Sequence, residues 1–185
     1  MRDGPAGYTP PPSVGRSDLL NAGGDNDFRQ MISDISALAA NLTTIRTHLA
    51  ALLDLTPPQY HVLMTVAQHQ GADGISIGAL ARYLHLSGAF VTTEAGALVR
   101  RGLLVKQANP NDRRSVLLRL TRKGEQDVER ISPHLVEIND RVFEPLGRRG
   151  FRDLCQNVQQ LVATSEAACS RLSDTPVADL GSPGT

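Results

Sequence analysis

Residues 87–120 read "SGAFVTTEAGALVRRGLLVKQANPNDRRSVLLRL", and the fold turns on this stretch. Its first part has the composition of a helix, opening on Ser87, whose hydroxyl can cap the first turn, and closing at Gly102. "LLVKQA" and "SVLLRL" follow as strand-like runs of Leu and Val in partial alternation. The six residues between them, "NPNDRR", carry turn chemistry: Asn109 at the first position and Pro110 at the second suit a type I turn. A helix therefore leads straight into a β-hairpin whose tip holds Arg113 and Arg114.

Upstream, "SIGALARYLHL" starts on Ser76 as a cap and buries Ile77, Leu80, Ala81 and Leu84. Only about three residues part it from the helix that begins at Ser87, the spacing of a helix-turn-helix. With the hairpin behind it, the segment predicts a winged helix over 56–120. "LTPPQYHVLMTVAQHQG" adds a helix capped by Thr56, with Pro57 in a first turn that needs no N–H and Gly71 at its end.

Long amphipathic helices flank this domain. From Phe28, apolar residues recur at Met31, Ile35, Leu38, Leu42, Ile45, Leu49 and Leu52, an alternation of three and four that marks a helix within 25–55. Thr121 caps another, with Val128, Ile131, Leu135, Ile138 and Val142 on its apolar side and a kink expected at Pro133. Pro145 and "GRRG" break the chain, and a last helix carries Phe151, Leu154, Val158, Leu161, Val162, Ala168 and Leu172. These stripes exceed what a winged helix can cover, so residues 25–55 and 121–172 are expected to pair with a second copy. Residues 1–24, rich in Pro and Gly, read as a flexible arm, and 173–185 as a flexible tail. The expected class is mainly α with a small β-hairpin wing: a winged helix-turn-helix domain plus N- and C-terminal dimerisation helices.

Composition narrows function. The 19 basic and 19 acidic residues cancel, yet residues 76–123 hold nine basic side chains against Glu94 and Asp112, a local charge of +7. Such segregation gives one face a field that attracts a polyanion while the whole stays neutral. No apolar run approaches the ~20 residues of a membrane span, and the start lacks the apolar core of a secretion signal, so a cytoplasmic protein is expected. The five histidines show no metal-ligand spacing, and there is no phosphate-binding glycine loop or nucleophile–base pair. No enzyme, metal or cofactor is expected. Cys155 and Cys169 lie about 21 Å apart along one helix, too far to bridge within a chain. They read as buried filler or as a redox switch across a dimer.

On the helix after the turn, the inward side is Phe90 or Val91, then Ala95, Leu98 and Val99. Its outward start, Ser87, Gly88, Ala89, Thr92 and Thr93, is short and lightly charged, suited to deep entry into a major groove. A bland solvent face is the alternative. Arg113 and Arg114 at the tip fit a minor groove or clamp phosphates, and Asp112 would hold the tip in shape. Lys106, Arg119 and Lys123 are flanking phosphate contacts or solubilising charge.

"LTPPQYHVL", "ALARYLHLSGAFVTTEAGALVRRGLL" and "NPNDRRSVLLRLTRKG" together resemble the MarR family of bacterial transcription regulators, most specifically in Asp112-Arg113-Arg114, Leu120-Thr121 and Gly124. The resemblance spans residues 27–172. It implies a homodimer paired through its first and last helices, bound to a near-palindromic operator. It also implies a repressor released when a small ligand binds or a cysteine oxidises. The sequence departs from the family at Thr93, where many members carry a basic or bulkier polar residue. It departs again in "GLLVKQ", which lacks an arginine often found there and for which Lys106 is a partial substitute. The first helix has no cysteine, unlike the peroxide-sensing branch.

A ligand site is expected where the dimer helices meet the winged helix, from Arg46, His48, Tyr60 and His61. A guanidinium beside an apolar stripe can pair with an aromatic carboxylate or an acyl-CoA thioester. An ordinary ion pair of Arg46 with Asp34 or Asp54 is the competing reading. A winged helix that binds protein rather than DNA is the rival from another class.

Overall fold

The computed structural model describes Tyr8 and residues 10–21, 24–110, 112 and 115–174. Two compact units divide the chain, Met1–His134 and Leu135–Thr185. The architecture is mainly helical with one small antiparallel sheet, as the periodicities predict.

In the first unit, α1 (Asn26–Ala51) precedes α2 (Pro57–His69), a short strand β1 (Ile75–Ser76), α3 (Ile77–Leu84) and α4 (Gly88–Arg100). Strands β2 (Leu104–Ala108) and β3 (Val116–Leu120) form the wing, and α5 (Arg122–Phe143) begins directly after it. Each predicted cap is in place. Thr56 accepts from the Gln59 amide in a reciprocal capping box, Ser76 Oγ from Ala79 N at 3.2 Å, and Ser87 Oγ from Phe90 N at 3.2 Å. Thr121 Oγ1 accepts from Gly124 N at 3.1 Å. The turn between α3 and α4 is made by His85 in the left-handed region (φ 53°), which reverses the chain before Ser87 restarts a helix.

Sheet order is β1-β3-β2, with Lys106 opposite Leu118, Leu104 opposite Leu120, and Ile75 opposite Leu118 on the other edge. Strand β1 and a 3-10 turn at Ser17–Leu19, within the expected flexible arm, are elements that sequence reading missed. The two residues of β1 are too few to show a period, and only pairing with β3 makes them a strand.

The core gathers where these elements meet. Val62, Leu63, Val66, Leu80, Val91, Leu98, Leu103, Leu104, Leu118 and Ile131 are all essentially inaccessible to solvent. Gly124 belongs to this packing, since a Cβ there would collide with the Leu103 carbonyl oxygen.

Along the stripe that runs from Phe28 to Leu52, Leu49 is buried, whereas Met31, Ile35, Leu38 and Leu52 stay more than 40% exposed. Residues before α1 make specific contacts. Ser13 donates from both N and Oγ to Asp25 Oδ2 at 2.6 Å, and Arg29 Nη2 donates to the Pro11 carbonyl at 2.6 Å. Arg29 Nε stands 3.0 Å from the same Asp25 oxygen but is not aligned for a hydrogen bond.

The second unit holds the rest of α5 and all of α6 (Arg148–Asp174). Arg148, Arg149 and Gly150 of the expected "GRRG" break are already helical, so the break is confined to residues 144–147. Phe151 N donates to the Gly147 carbonyl to start the helix. Phe151, Val158, Leu161 and Leu172 are all more than half or nearly half exposed, and α6 has no buried residue. Cys155 and Cys169 are exposed as well, which corrects the reading of them as buried filler.

Candidate nucleic-acid interface

The alternation within α4 decides which residues face outward. Val91, Ala95 and Leu98 are completely buried, while Phe90 keeps 39% of its surface. The open choice between Phe90 and Val91 thus falls to Val91, and Phe90 joins the outer row with Gly88, Ala89, Thr92 and Thr93, all exposed. A residue with a bulky ring in that row was not singled out by sequence reasoning. The 3.6-residue phase counted from Ala95 and Leu98 is the signal that places it.

The threonines are ordered without side-chain partners of their own. Thr92 Oγ1 donates to the Gly88 carbonyl at 2.7 Å and Thr93 Oγ1 to the Ala89 carbonyl at 3.2 Å. Each hydroxyl therefore uses its proton internally and presents acceptor lone pairs and a methyl group outward. Such a surface can accept from the exocyclic amines of adenine or cytosine and pack on a thymine methyl. Ser87 Oγ uses a lone pair for the cap, leaving its proton to donate.

Arg113 and Arg114 lie outside the described residues, but the frame that carries them is described. Asp112 N donates to the Asn109 carbonyl at 3.3 Å, closing the turn over Pro110. Ser115 N donates to the Asp112 carbonyl at 3.0 Å, and Asn109 Nδ2 to Ser115 Oγ at 2.7 Å. Both backbone groups of Asp112 are thus part of the tip, and the side chains of Asn109 and Ser115 cross-link its base.

The basic residues sort into two groups. Arg119 Nη1 donates to the Ala72 carbonyl at 2.6 Å, Lys123 Nζ to the Arg101 carbonyl at 3.0 Å, and Arg101 Nη1 to the Asp54 carbonyl at 2.6 Å. Arg119 and Lys123, read from sequence as flanking phosphate contacts or solubilising charge, are each tied to a distant backbone carbonyl. Neutral carbonyls leave their charge in place, so the positive field of this region persists. Arg82, Arg100 and Lys106 are exposed and make no hydrogen bond or ion pair among the described residues.

The four ligand candidates separate. Tyr60 is buried, and burial raises its pKa against the opposing influence of Arg46. Half-buried His61 is pushed below 6.5 by burial and then by the charge of Arg46. Arg46, Tyr60 and His61 therefore sense one another across the α1–α2 contact. Exposed His48 has Nδ1 against the Thr44 carbonyl at 2.9 Å, within its own helix. The competing ion pairs are not formed: among the described residues Asp34 accepts from Gln30 Nε2 at 2.9 Å, and neither Asp34 nor Asp54 pairs with Arg46. Two open grooves, of 370 and 230 Å³, lie elsewhere, along residues 18–38.

Among the described residues no group of His, Cys, Asp and Glu is arranged to hold a metal ion, and no helix is long and apolar enough to cross a membrane.

Comparisons with known proteins agree with this geometry. The MarR family model matches residues 53–115, from the α1–α2 corner to the wing tip. An uncharacterised HTH-type transcriptional regulator of Bacillus subtilis, YhbI, is 25% identical over 79% of this chain and 92% of its own length. The transcriptional activatory protein BadR of Rhodopseudomonas palustris is 37% identical over 38% of this chain and 40% of its own. A MarR regulator from Methanosarcina mazei superposes with a TM-score of 0.61 at 20% identity, covering 76% of this chain and 99% of that one. The DNA complex of S. aureus MepR gives 0.59 at 20% identity, over 70% and 93%. PcaV of Streptomyces coelicolor, in complex with its natural ligand, gives 0.55 at 24%, over 69% and 91%. In its wing-bearing segment this chain matches the MarR family model, and in its fold it is similar to MarR-family transcription regulators.

Proposed function

We propose that this chain acts in the cytoplasm as a homodimeric repressor that grips a near-palindromic operator and lets go when a small anionic ligand binds. The observation that carries DNA binding is the outer row of α4. It is uncharged from Gly88 to Thr93 and, Phe90 apart, built of short side chains, and the basic hairpin follows it in the chain. A helix of this kind enters a major groove, while Lys106 and the tip residues Arg113 and Arg114 engage the flanking backbone or minor groove. The helix N-terminus adds oriented N–H groups that favour phosphate.

Dimerisation is supported by the uncovered stripes of α1 and α6. Apolar surface of that extent gains ~25 cal/mol for each Å² removed from water, and a second copy offers the same surface in self-complementary form. Two half-sites read together give affinity that one short helix cannot.

Arg46, Tyr60 and His61 form the proposed ligand site. A positive charge beside a buried phenol and a neutral imidazole suits an aromatic carboxylate or the thioester end of an acyl-CoA. PcaV, which shares the fold, has been seen with its natural ligand, and MepR with DNA. Redox release through Cys155 or Cys169 is the second reading, favoured by their exposure.

The test is a gel shift on the DNA upstream of the chain's own gene, across a salt series. Affinity that falls steeply with salt supports phosphate contacts, and affinity flat in salt or absent would redirect the reading toward a protein partner. A promoter reporter then decides the sign, repression being expected; BadR, by its description, is activatory.

A further inference from the structure

Arg101 closes α4 as its C-cap residue, and its side chain reaches 47 positions back along the chain. Nη1 donates to the Asp54 carbonyl at 2.6 Å and Nη2 lies 3.5 Å from the Leu53 carbonyl, one guanidinium spanning two successive backbone oxygens. Those oxygens sit in the corner between α1 and α2. Asp54 holds this corner in the left-handed region (φ 53°), where a residue with a Cβ is strained and needs its surroundings to keep it. On its other side the same stretch is held by the start of α5. Lys123 Nζ donates to the Arg101 carbonyl at 3.0 Å, Thr121 Oγ1 to the Gly102 carbonyl at 2.6 Å, and Thr121 N to the Leu103 carbonyl at 3.0 Å. Residues 101–103 thus join the end of α4 to both flanking helices.

We infer that Arg101 is a positioning residue, coupling the α1–α2 corner to the placement of α4, rather than a DNA contact. The inference rests on the DNA-binding reading above, because coupling has a purpose only if α4 meets a duplex. A ligand at Arg46, Tyr60 and His61 would bear on the two helices that meet at this corner. Movement of the Leu53 and Asp54 carbonyls then pulls on the guanidinium, and through it on α4. Linkage is reciprocal, so DNA on α4 must also steady the corner.

Hydrogen exchange of the full-length protein, free and bound to the duplex upstream of its own gene, reads that reciprocity without a ligand. Expected for the natural chain is slower exchange at α4, and at amides 53–55 by roughly fivefold or more. In Arg101→Gln, protection at α4 persists while protection at 53–55 disappears, and Arg101→Lys, with a single ammonium for two carbonyls, keeps only part of it. The salt slope of binding is unchanged in both variants, whereas removing a side chain that neutralises a phosphate would lower it by about 1. Protection at 53–55 that survives in Arg101→Gln, or a reduced salt slope, overturns the inference. Absence of protection at α4 in the natural chain overturns the DNA-binding reading and this inference with it. A uniform loss of protection in both variants before DNA is added would make Arg101 merely structural, and likewise overturns it.

Discussion

Arg46 on α1 acts on His61 on α2: together with the burial of the imidazole, its charge holds His61 below the ordinary value of 6.5. Replacing Arg46 by Ala removes the second of these two influences and leaves the first. An NMR titration should show the His61 pKa rising toward 6.5 without reaching it. In the natural chain the unfolded state binds this proton more readily than the folded state. Stability should therefore fall as pH drops through and below about 6.5, and less so in the variant. Operator binding by Arg46→Ala should be intact and release by an added aromatic acid abolished. Undiminished release would make Arg46 structural.

The wing and α4 should fail differently. Arg113→Ala and Arg114→Ala are expected to weaken binding to all duplexes alike and to lower the salt slope by about 1 for each phosphate left without its arginine. Thr93→Ala should leave the slope unchanged and relax preference at one base position by about 0.5–1.5 kcal/mol, the worth of one neutral hydrogen bond. Binding measured on a panel of single-base operator variants at several salt concentrations separates the two patterns.

Charge placed on an exposed stripe should break the dimer. Ile35→Glu on α1 and Leu161→Glu on α6 replace side chains that are 46% and 56% exposed within one chain, so neither disturbs that chain's own core. Sedimentation velocity at micromolar concentration is expected to show a shift from dimer to folded monomer, with helical circular dichroism retained. Operator affinity should fall by roughly tenfold or more, as the second half-site ceases to contribute. A variant that stays dimeric would place the interface elsewhere.

Asp25 is held far below the usual carboxylate range by the Arg29 guanidinium, 3.0 Å from its carboxylate, and by the two hydrogen bonds of Ser13. Because the folded pKa is depressed, its contribution to stability is present above the ordinary value of 3.8 and is lost as pH falls below it. Asp25→Asn should therefore flatten the acid limb of a stability–pH curve. It should also speed hydrogen exchange at Ser13, whose amide donates to that carboxylate. Ser13→Ala, which removes the hydroxyl but keeps the amide, is expected to give a smaller change in the same direction.

Local chemistry made much of this protein legible as a bare string of letters. The caps at Thr56, Ser76, Ser87 and Thr121 join a hydroxyl to an amide three residues on, and the turn at Asn109 closes on Asp112. Such bonds lie within the reach of a sequence window, as does the apolar period that phases each helix. What tertiary structure alone decided depends on groups far apart in the chain. Ile75 becomes a strand only because Leu118 lies beside it. Arg101 and Arg119 look in the sequence like the other arginines of a basic segment. Carbonyls 47 residues away claim both of them, and no window on the sequence shows where a distant backbone oxygen will point.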